Sequence, residues 1–299
     1  MNSLILSGGG SFGAFEAGVL YHIFHKKQFD KCLGTSVGAL NCLLMAQVYL
    51  NKSPEIFKTL WIEKIKSNKQ IYKKNRFKYI SFRPPYNFDP LKFLLKEVID
   101  FEKIIKMEKE IVLSTVDLIT GKSVTISNHD KDLTPKDLLN AAIASCSVPP
   151  LFPPVIFKNK ILVDGGIRDN APVSSIIQSW ELDSILIILC NNKDLEYEKR
   201  EYEGLFEISD RVINIMMNEI TNNDISIVLK INDMLRKMNE NEKGEFLKSK
   251  KVVDLNLIYP EESLNNNMLN FNPSFLRRAF LLGIKKGIEF LGKKIIPAS

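Results

Sequence analysis

A serine sits between two glycines at Gly34-Thr35-Ser36-Val37-Gly38, with apolar residues on either side. The G-x-S-x-G spacing suits a sharp strand-to-helix turn that lifts a serine hydroxyl clear of the backbone. Glycines two residues before and after are required because a β-carbon there would crowd the turn. A hydroxyl displayed in this way is a nucleophile for acyl transfer. Ser36 is therefore the candidate catalytic serine, and Gly34 and Gly38 form its elbow.

Attack on an ester builds negative charge on the carbonyl oxygen, so fixed N–H groups must already point at it. The run Gly8-Gly9-Gly10-Ser11-Phe12-Gly13 allows the backbone to approach closely. Val37, just after the serine, can supply another N–H. Losing one such donor costs roughly 3–4 kcal/mol of transition-state stabilisation. Gly8, Gly10 and Gly13 also match G-x-G-x-x-G, and Asp30 follows Gly8 by 22 residues. In a dinucleotide fold the ribose-binding acid ends the second strand. Asp30 instead precedes the candidate strand Lys31-Cys32-Leu33, and that strand ends in the serine elbow. The nucleotide reading is the weaker one.

A serine nucleophile needs a proton acceptor. The chain has three histidines, His22 and His25 on a predicted helix and His129 in the polar loop Ser127-Asn128-His129-Asp130. Surface or helix-packing roles explain His22 and His25 and are the favoured reading of His129, with a triad through His129 left open. The alternative is Asp164, at the end of the predicted strand in Lys160-Ile161-Leu162-Val163-Asp164-Gly165-Gly166. Asp-Gly alone reads as a turn. A strand-terminal aspartate within about 2.6–3.2 Å of the hydroxyl can serve as general base once burial or hydrogen bonding has tuned it.

Positioning these groups falls to a short set of elements. Leu4-Ile5-Leu6-Ser7 reads as a buried strand. Ala14 to His25 reads as a helix, with Phe15, Val19, Leu20 and Ile23 at helical spacing. Strand, glycine loop, helix, strand and elbow make a βαβα run, which favours a parallel sheet with right-handed crossovers. Ligands of such sheets bind outside the C-terminal strand edge. The glycine loop, Ser36 and Asp164 are expected at that edge, although Gly10 and Ser36 are 26 residues apart.

Four blocks in order give the chain a resemblance to the patatin-like phospholipases, lipid acyl hydrolases with a Ser-Asp dyad. They are Gly8-Gly9-Gly10 with Gly13, Gly34 to Leu40, Ala144-Ser145-Cys146-Ser147-Val148-Pro149-Pro150-Leu151-Phe152-Pro153-Pro154, and Val163 to Pro172. The resemblance implies Ser36 as nucleophile, Asp164 as base and Gly8, Gly9 and Gly10 as the oxyanion loop. It implies a three-layer α/β/α sandwich with a mostly parallel central sheet. On that basis residues 1–299 are expected to form one catalytic domain, with the core motifs in 1–175 and final strands and covering helices in 176–299. The expected substrate is a lipid carboxylic ester of a phospholipid or lysophospholipid, cleaved through an acyl-enzyme. Acyl transfer to another acceptor, or lipid binding by a decayed site, are the alternatives. The family commonly carries Arg or Lys where this chain has Phe12.

Composition is compatible with this. With 299 residues, 45% hydrophobic, the chain can bury a core. Its apolar runs fall short of the 18 or so residues that span a bilayer, and the N-terminus carries no basic secretory signal. Cys32, Cys42, Cys146 and Cys190 lack C-x-x-C spacing and read as scattered reduced thiols, as in a cytoplasmic protein. No metal cluster and no need for a cofactor are evident. Net charge is +6, and Lys64 to Lys78 holds seven basic residues without an acid. Interleaved with Ile71, Tyr72, Phe77 and Tyr79, this stretch (64–86) reads either as a solvated connector or as a peripheral contact with anionic lipid; nucleic acid is the weaker reading. Further on, Ser184 to Cys190 and Val252 to Tyr259 read as strands and Ser209 to Asn239 as a helix. From Ser274 a basic amphipathic helix is expected to pack Leu276, Phe280, Ile284, Ile288, Leu291 and Ile295 on the core, with a membrane surface as the alternative.

Overall fold

The computed structural model describes residues 1–75, 83–173, 183–192, 204–238, 250–261, 264 and 267–292. Phe77 and Tyr79 of the basic stretch, and Ile295, lie outside the described residues.

The N-terminal run forms as its pattern predicts: β1 (Asn2–Leu6), α1 (Gly13–Ile23), β2 (Lys31–Thr35) and α2 (Val37–Asn51). Later strands are the short ribbon β3 (Lys73–Lys74) and β4 (Tyr86–Asn87), then β5 (Glu110–Asp117), β6 (Ser123–Ser127), β7 (Val155–Phe157), β8 (Lys160–Asp164), β9 (Ser184–Ile188) and β10 (Asp254–Ile258). The main sheet has the order β10-β9-β1-β2-β5-β8-β7, with β6 also paired to β5. From β10 to β5 all neighbours are parallel. The β5–β8, β7–β8 and β5–β6 pairs are antiparallel.

Alternation along the strands divides the core between two faces. Leu4 and Leu6 face α1, α2, α6 (Pro135–Ser145) and the C-terminal helix α8 (Pro273–Gly292). Ile5 and Leu33 face α7 (Leu205–Lys237), which contributes Ile225, Val228 and Ile231. Among the described residues the remaining α-helices are the short α3 (Glu55–Lys58), which runs into a π-helical turn at Thr59–Lys64, then α4 (Asp89–Val98) and α5 (Phe101–Ile104). The result is a mostly parallel sheet with helices on both faces.

Two sequence expectations need correction. First, β8 does not run parallel to the strand that carries the serine. It runs antiparallel to β5, and register brings Asp164 to the site: Thr35 pairs with Ser114, and Asp164 pairs with Thr115, the next residue. Second, α8 packs on α1 through Leu276, Ala279, Phe280, Gly283 and Gly287, leaving Ile288 exposed. Small residues decide this face. A β-carbon on Gly283 would lie 2.0 Å from the Phe15 carbonyl, and one on Gly18 would lie 2.0 Å from that of Phe280. The two helices touch backbone to backbone, so the stripe is set by glycine rather than by the largest side chains.

Candidate active site

Ser36 is placed between β2 and α2 with φ 54° and ψ −124°, a conformation that non-glycine residues rarely adopt. Sterics around it account for the flanking glycines. A β-carbon on Gly34 would meet the Gly38 carbonyl at 2.3 Å, and one on Gly38 would meet the Leu6 carbonyl at 2.4 Å. The turn is held from outside as well. Ser36 N–H donates to Ser145 Oγ at 2.9 Å, and Ser145 Oγ donates to the Ser114 carbonyl at 2.7 Å. The block around Ser145 thus clamps the elbow to β5. Two residues later the Ser147 carbonyl accepts from Asp164 N–H at 3.0 Å. Nothing in the spacing of Ser145 announced that role.

Asp164 is fully buried. Its Oδ1 accepts the Gly166 N–H at 2.7 Å, while Oδ2 has no hydrogen-bond partner. Burial pushes its pKa up to about 7, against the opposing pull of the Gly166 N–H and the nearby Ser36 hydroxyl. The carboxyl is therefore close to the hydroxyl without closing a regular hydrogen bond to it, and Oδ2 is the oxygen left over. The Cys146 thiol also neighbours both groups; burial first, then the Asp164 carboxyl, push its pKa well up. It is a neutral wall of the site.

The glycine loop lies beside Ser36, as expected, but its members differ. Gly8 N–H donates to the Asn170 carbonyl at 3.1 Å, so it is already spent on fold. Gly8 instead provides clearance: a β-carbon there would sit 2.4 Å from Asn170 Oδ1 and 3.1 Å from Ser36 Cβ. Gly9, Gly10 and Val37 line the same cavity as Ser36, and none of their N–H groups has an acceptor among the described residues. Gly10 has φ +58°, and a β-carbon there would lie 2.2 Å from the Met268 carbonyl. Phe12 turns away from the cavity. It is buried and meets Phe275 edge-on at 5.8 Å, fastening the loop to α8.

Behind the loop is a group that the sequence reading passed over. Glu16 on α1 is fully buried, and its Oε2 accepts Asn41 Nδ2 at 2.9 Å. Asn41 also donates to the Gly13 carbonyl and accepts from Trp61 Nε1 at 3.0 Å. Burial pushes the Glu16 pKa up to about 8, only partly offset by Asn41, Cys190 and Ser7. Its sole signal in the sequence was a charged residue on an otherwise apolar helix.

The histidines are elsewhere. Ser127 pairs with Val112 near the start of β5, and His129 Nε2 lies 3.1 Å from the Met107 carbonyl. His22 and His25 lie at the end of α1 remote from the glycine loop. Asp30 accepts the Asn2 N–H at 2.8 Å at the N-terminal ends of the strands, opposite to where a ribose would bind.

From Ser36 an apolar cavity runs between Leu40, Trp61, Leu91, Leu94, Phe152 and Phe271. Ile71 also lines it, and Tyr72 packs edge-on against Phe152 at 6.0 Å. The described part of the basic stretch therefore builds the cavity wall. Lys64 pairs with Glu97 and Lys73 with Asp89. Among the described residues, no cluster of His, Cys, Asp and Glu could hold a metal, and no helix is long and apolar enough to cross a membrane.

The family model of patatin-like phospholipases matches residues 4–177, more than half of the chain. The chain belongs to the patatin-like phospholipase family. Membership makes it a relative of lipid acyl hydrolases, and the sheet and its layers are those of the patatin fold. Among solved structures it is similar to VipD from Legionella pneumophila, at 14% identity and a TM-score of 0.44. The match covers 97% of this chain and 66% of that one, just under two thirds of VipD's length. A search of curated proteins returned no match.

Proposed function

We propose that this patatin-like protein hydrolyses the carboxylic esters of phospholipids or lysophospholipids through Ser36 and Asp164. The observation that carries the reading is the pairing of a strained, displayed serine with a buried carboxyl whose Oδ2 has no partner. Asp164 takes the proton as Ser36 Oγ attacks the acyl carbonyl. The oxyanion forms against the N–H groups of Gly9, Gly10 and Val37, at the N-terminus of α2, where the helix dipole also favours negative charge. The tetrahedral intermediate collapses, and the alcohol leaves with the proton from Asp164. A water activated by the same carboxylate then releases the fatty acid. The apolar cavity suits the acyl chain, and a pKa near 7 suits a base that must accept and return a proton at neutral pH. No metal or cofactor enters this scheme. A lipid surface is the natural source of substrate, and a cytoplasmic, peripheral setting fits it.

Labelling with a fluorophosphonate probe, located by mass spectrometry, tests the reading. Modification of Ser36 that disappears in Asp164→Asn is expected. An unlabelled Ser36 in folded protein, with no release of fatty acid from any ester, would refute it. Phe12 is buried against Phe275, so the glycine loop is fastened to α8 at the position where the family commonly carries a charge.

A further inference from the structure

The glycine loop has a cavity on each side. Beside the apolar one is a small polar cleft lined by Ser7, Gly8, Asn170 and Thr221. Gly9, Met217 and Met268 line both, so the two sides meet at the loop. If the acyl chain lies on the apolar side, the alcohol half of the ester must leave Ser36 towards the other.

The chemistry of the cleft is distinctive. Its polar side chains are Asn170, Asn191, Asn214, Asn218, Thr221 and Ser7. Among the described residues, no lysine, arginine, histidine, aspartate or glutamate lines it. Primary amides offer both donors and acceptors, which matches vicinal hydroxyls. Among these described lining residues a phosphate would find no cation to pair with. Asn214 is itself held by a hydrogen bond from its Nδ2 to Asp210 Oδ2 at 3.4 Å.

A second observation points to a ligand. Asn170 is 5% exposed, and its Oδ1 has no hydrogen-bond partner. The orientation of its amide is determined by its neighbours. Thr221 Oγ1 donates to the Met217 carbonyl at 2.7 Å, so it can only accept from Asn170 Nδ2, at 2.9 Å. Flipping the amide would break that bond. Oδ1 is thus an orphaned acceptor, packed where a β-carbon on Gly8 would stand 2.4 Å away. An orphan of this kind is unfavourable unless something donates to it.

We infer that the cleft lined by Asn170, Asn191, Asn214 and Asn218 is a head-group subsite for an uncharged polyhydroxyl group, glycerol or a sugar, attached to the acyl chain that fills the apolar side. The inference rests on the ester-hydrolase reading for the direction of the substrate. Within the same lipid-ester chemistry, it shifts the preferred substrate from the phospholipids named above to neutral acyl glycerols or acyl glycosides.

Binding tests it independently of turnover. The intact protein is titrated calorimetrically with three non-hydrolysable C12 probes: 1-O-dodecylglycerol, dodecyl glucoside and dodecylphosphocholine, each below its micellar concentration. At least one neutral probe is expected to bind tenfold or more tightly than the phosphocholine, and the two neutral arms separate glycerol from sugar. Asn214→Leu is expected to lower that ratio at least fivefold, and Asn191→Ala provides a second variant should the first fail to fold. In turnover, the kcat/KM ratio of monolauroylglycerol to lauroyl lysophosphatidylcholine should move in the same direction. Equal or tighter binding of the phosphocholine, or a ratio indifferent to both substitutions, would overturn the inference. Preserved neutral-probe selectivity in a protein that hydrolyses no ester would instead overturn only the hydrolase reading.

Discussion

The amide of Asn41 donates to Glu16 at 2.9 Å, tying the helix that carries Ser36 to the helix that follows the glycine loop. The same amide reaches the Gly13 carbonyl, and its oxygen receives Trp61 from the cavity wall. Among the described residues, no cation offsets a charge on Glu16; the titratable groups facing it are the thiols of Cys190 and Cys42. A buried carboxyl with one firm donor and no cation is held neutral at physiological pH.

Glu16→Gln should therefore keep the bridge while removing the titration. The folded pKa near 8 lies above the ordinary 4.5, so the fold favours the protonated acid. Its contribution is full below the ordinary value and is lost as pH rises towards 8, by at most about 1.4 kcal/mol per unit. Between pH 7 and 8 the melting temperature of the parent should fall more steeply than that of Glu16→Gln. Parallel melting curves over that interval would show that Glu16 is not protonated in the fold.

Asp164→Asn separates catalysis from stability. Loss of a general base lowers turnover about 10²–10⁴-fold. Yet the parent carboxyl has a pKa near 7 in the fold against an ordinary 3.8, so ionising it in place costs stability above pH 4 and most fully above pH 7. The inactive variant should melt higher than the parent at pH 8, with the gap closing towards pH 4. In the parent, kcat/KM should rise with pH up to about 7 and then level, as the base loses its proton. A pH-independent rate between pH 5 and 7 would count against Asp164 as base.

Much of this site was legible in the sequence because it depends on local geometry. Gly34 and Gly38 are dictated by backbone contacts within a few residues of Ser36 and its neighbouring strand, so their spacing reveals the turn. Asp164 was expected beside Ser36 for a partly mistaken reason. Its strand runs against the expected direction, and the match of Asp164 with Thr115 depends on inter-strand register, which no local pattern encodes. Ser145, Asn170 and Glu16 were silent because each acts across more than twenty residues of chain, through contacts made only once helices have packed. The face of α8 was misread since side-chain size suggested Ile288, whereas close approach at Gly18 and Gly283 decided it.

Ser145→Ala probes the clamp on the elbow. It removes the acceptor of Ser36 N–H and the donor to the Ser114 carbonyl. Two buried groups lose their partner, at about 1–3 kcal/mol each. A lower melting temperature is expected, together with a fall in kcat larger than any change in KM, because the hydroxyl is displaced while the cavity persists. Chemical denaturation and ester kinetics on one preparation measure both. An unchanged kcat would mean that the strained turn at Ser36 holds its shape without this side chain.

Leu40→Trp tests the direction of the acyl chain. Leu40 lies one helical turn beyond Ser36 on α2, is almost fully buried, and lines the apolar cavity. An indole there shortens the space available to the chain next to the nucleophile. Excluding even two methylenes, at about 0.8 kcal/mol each, lowers kcat/KM for a lauroyl ester by roughly tenfold or more. A butyryl ester has fewer carbons to exclude, so the laurate-to-butyrate ratio of kcat/KM should fall by that factor. Fluorophosphonate labelling of Ser36 reports whether the site has survived the substitution. If the ratio holds while labelling persists, the chain runs elsewhere, and the polar cleft across Gly9 becomes the side to examine for it.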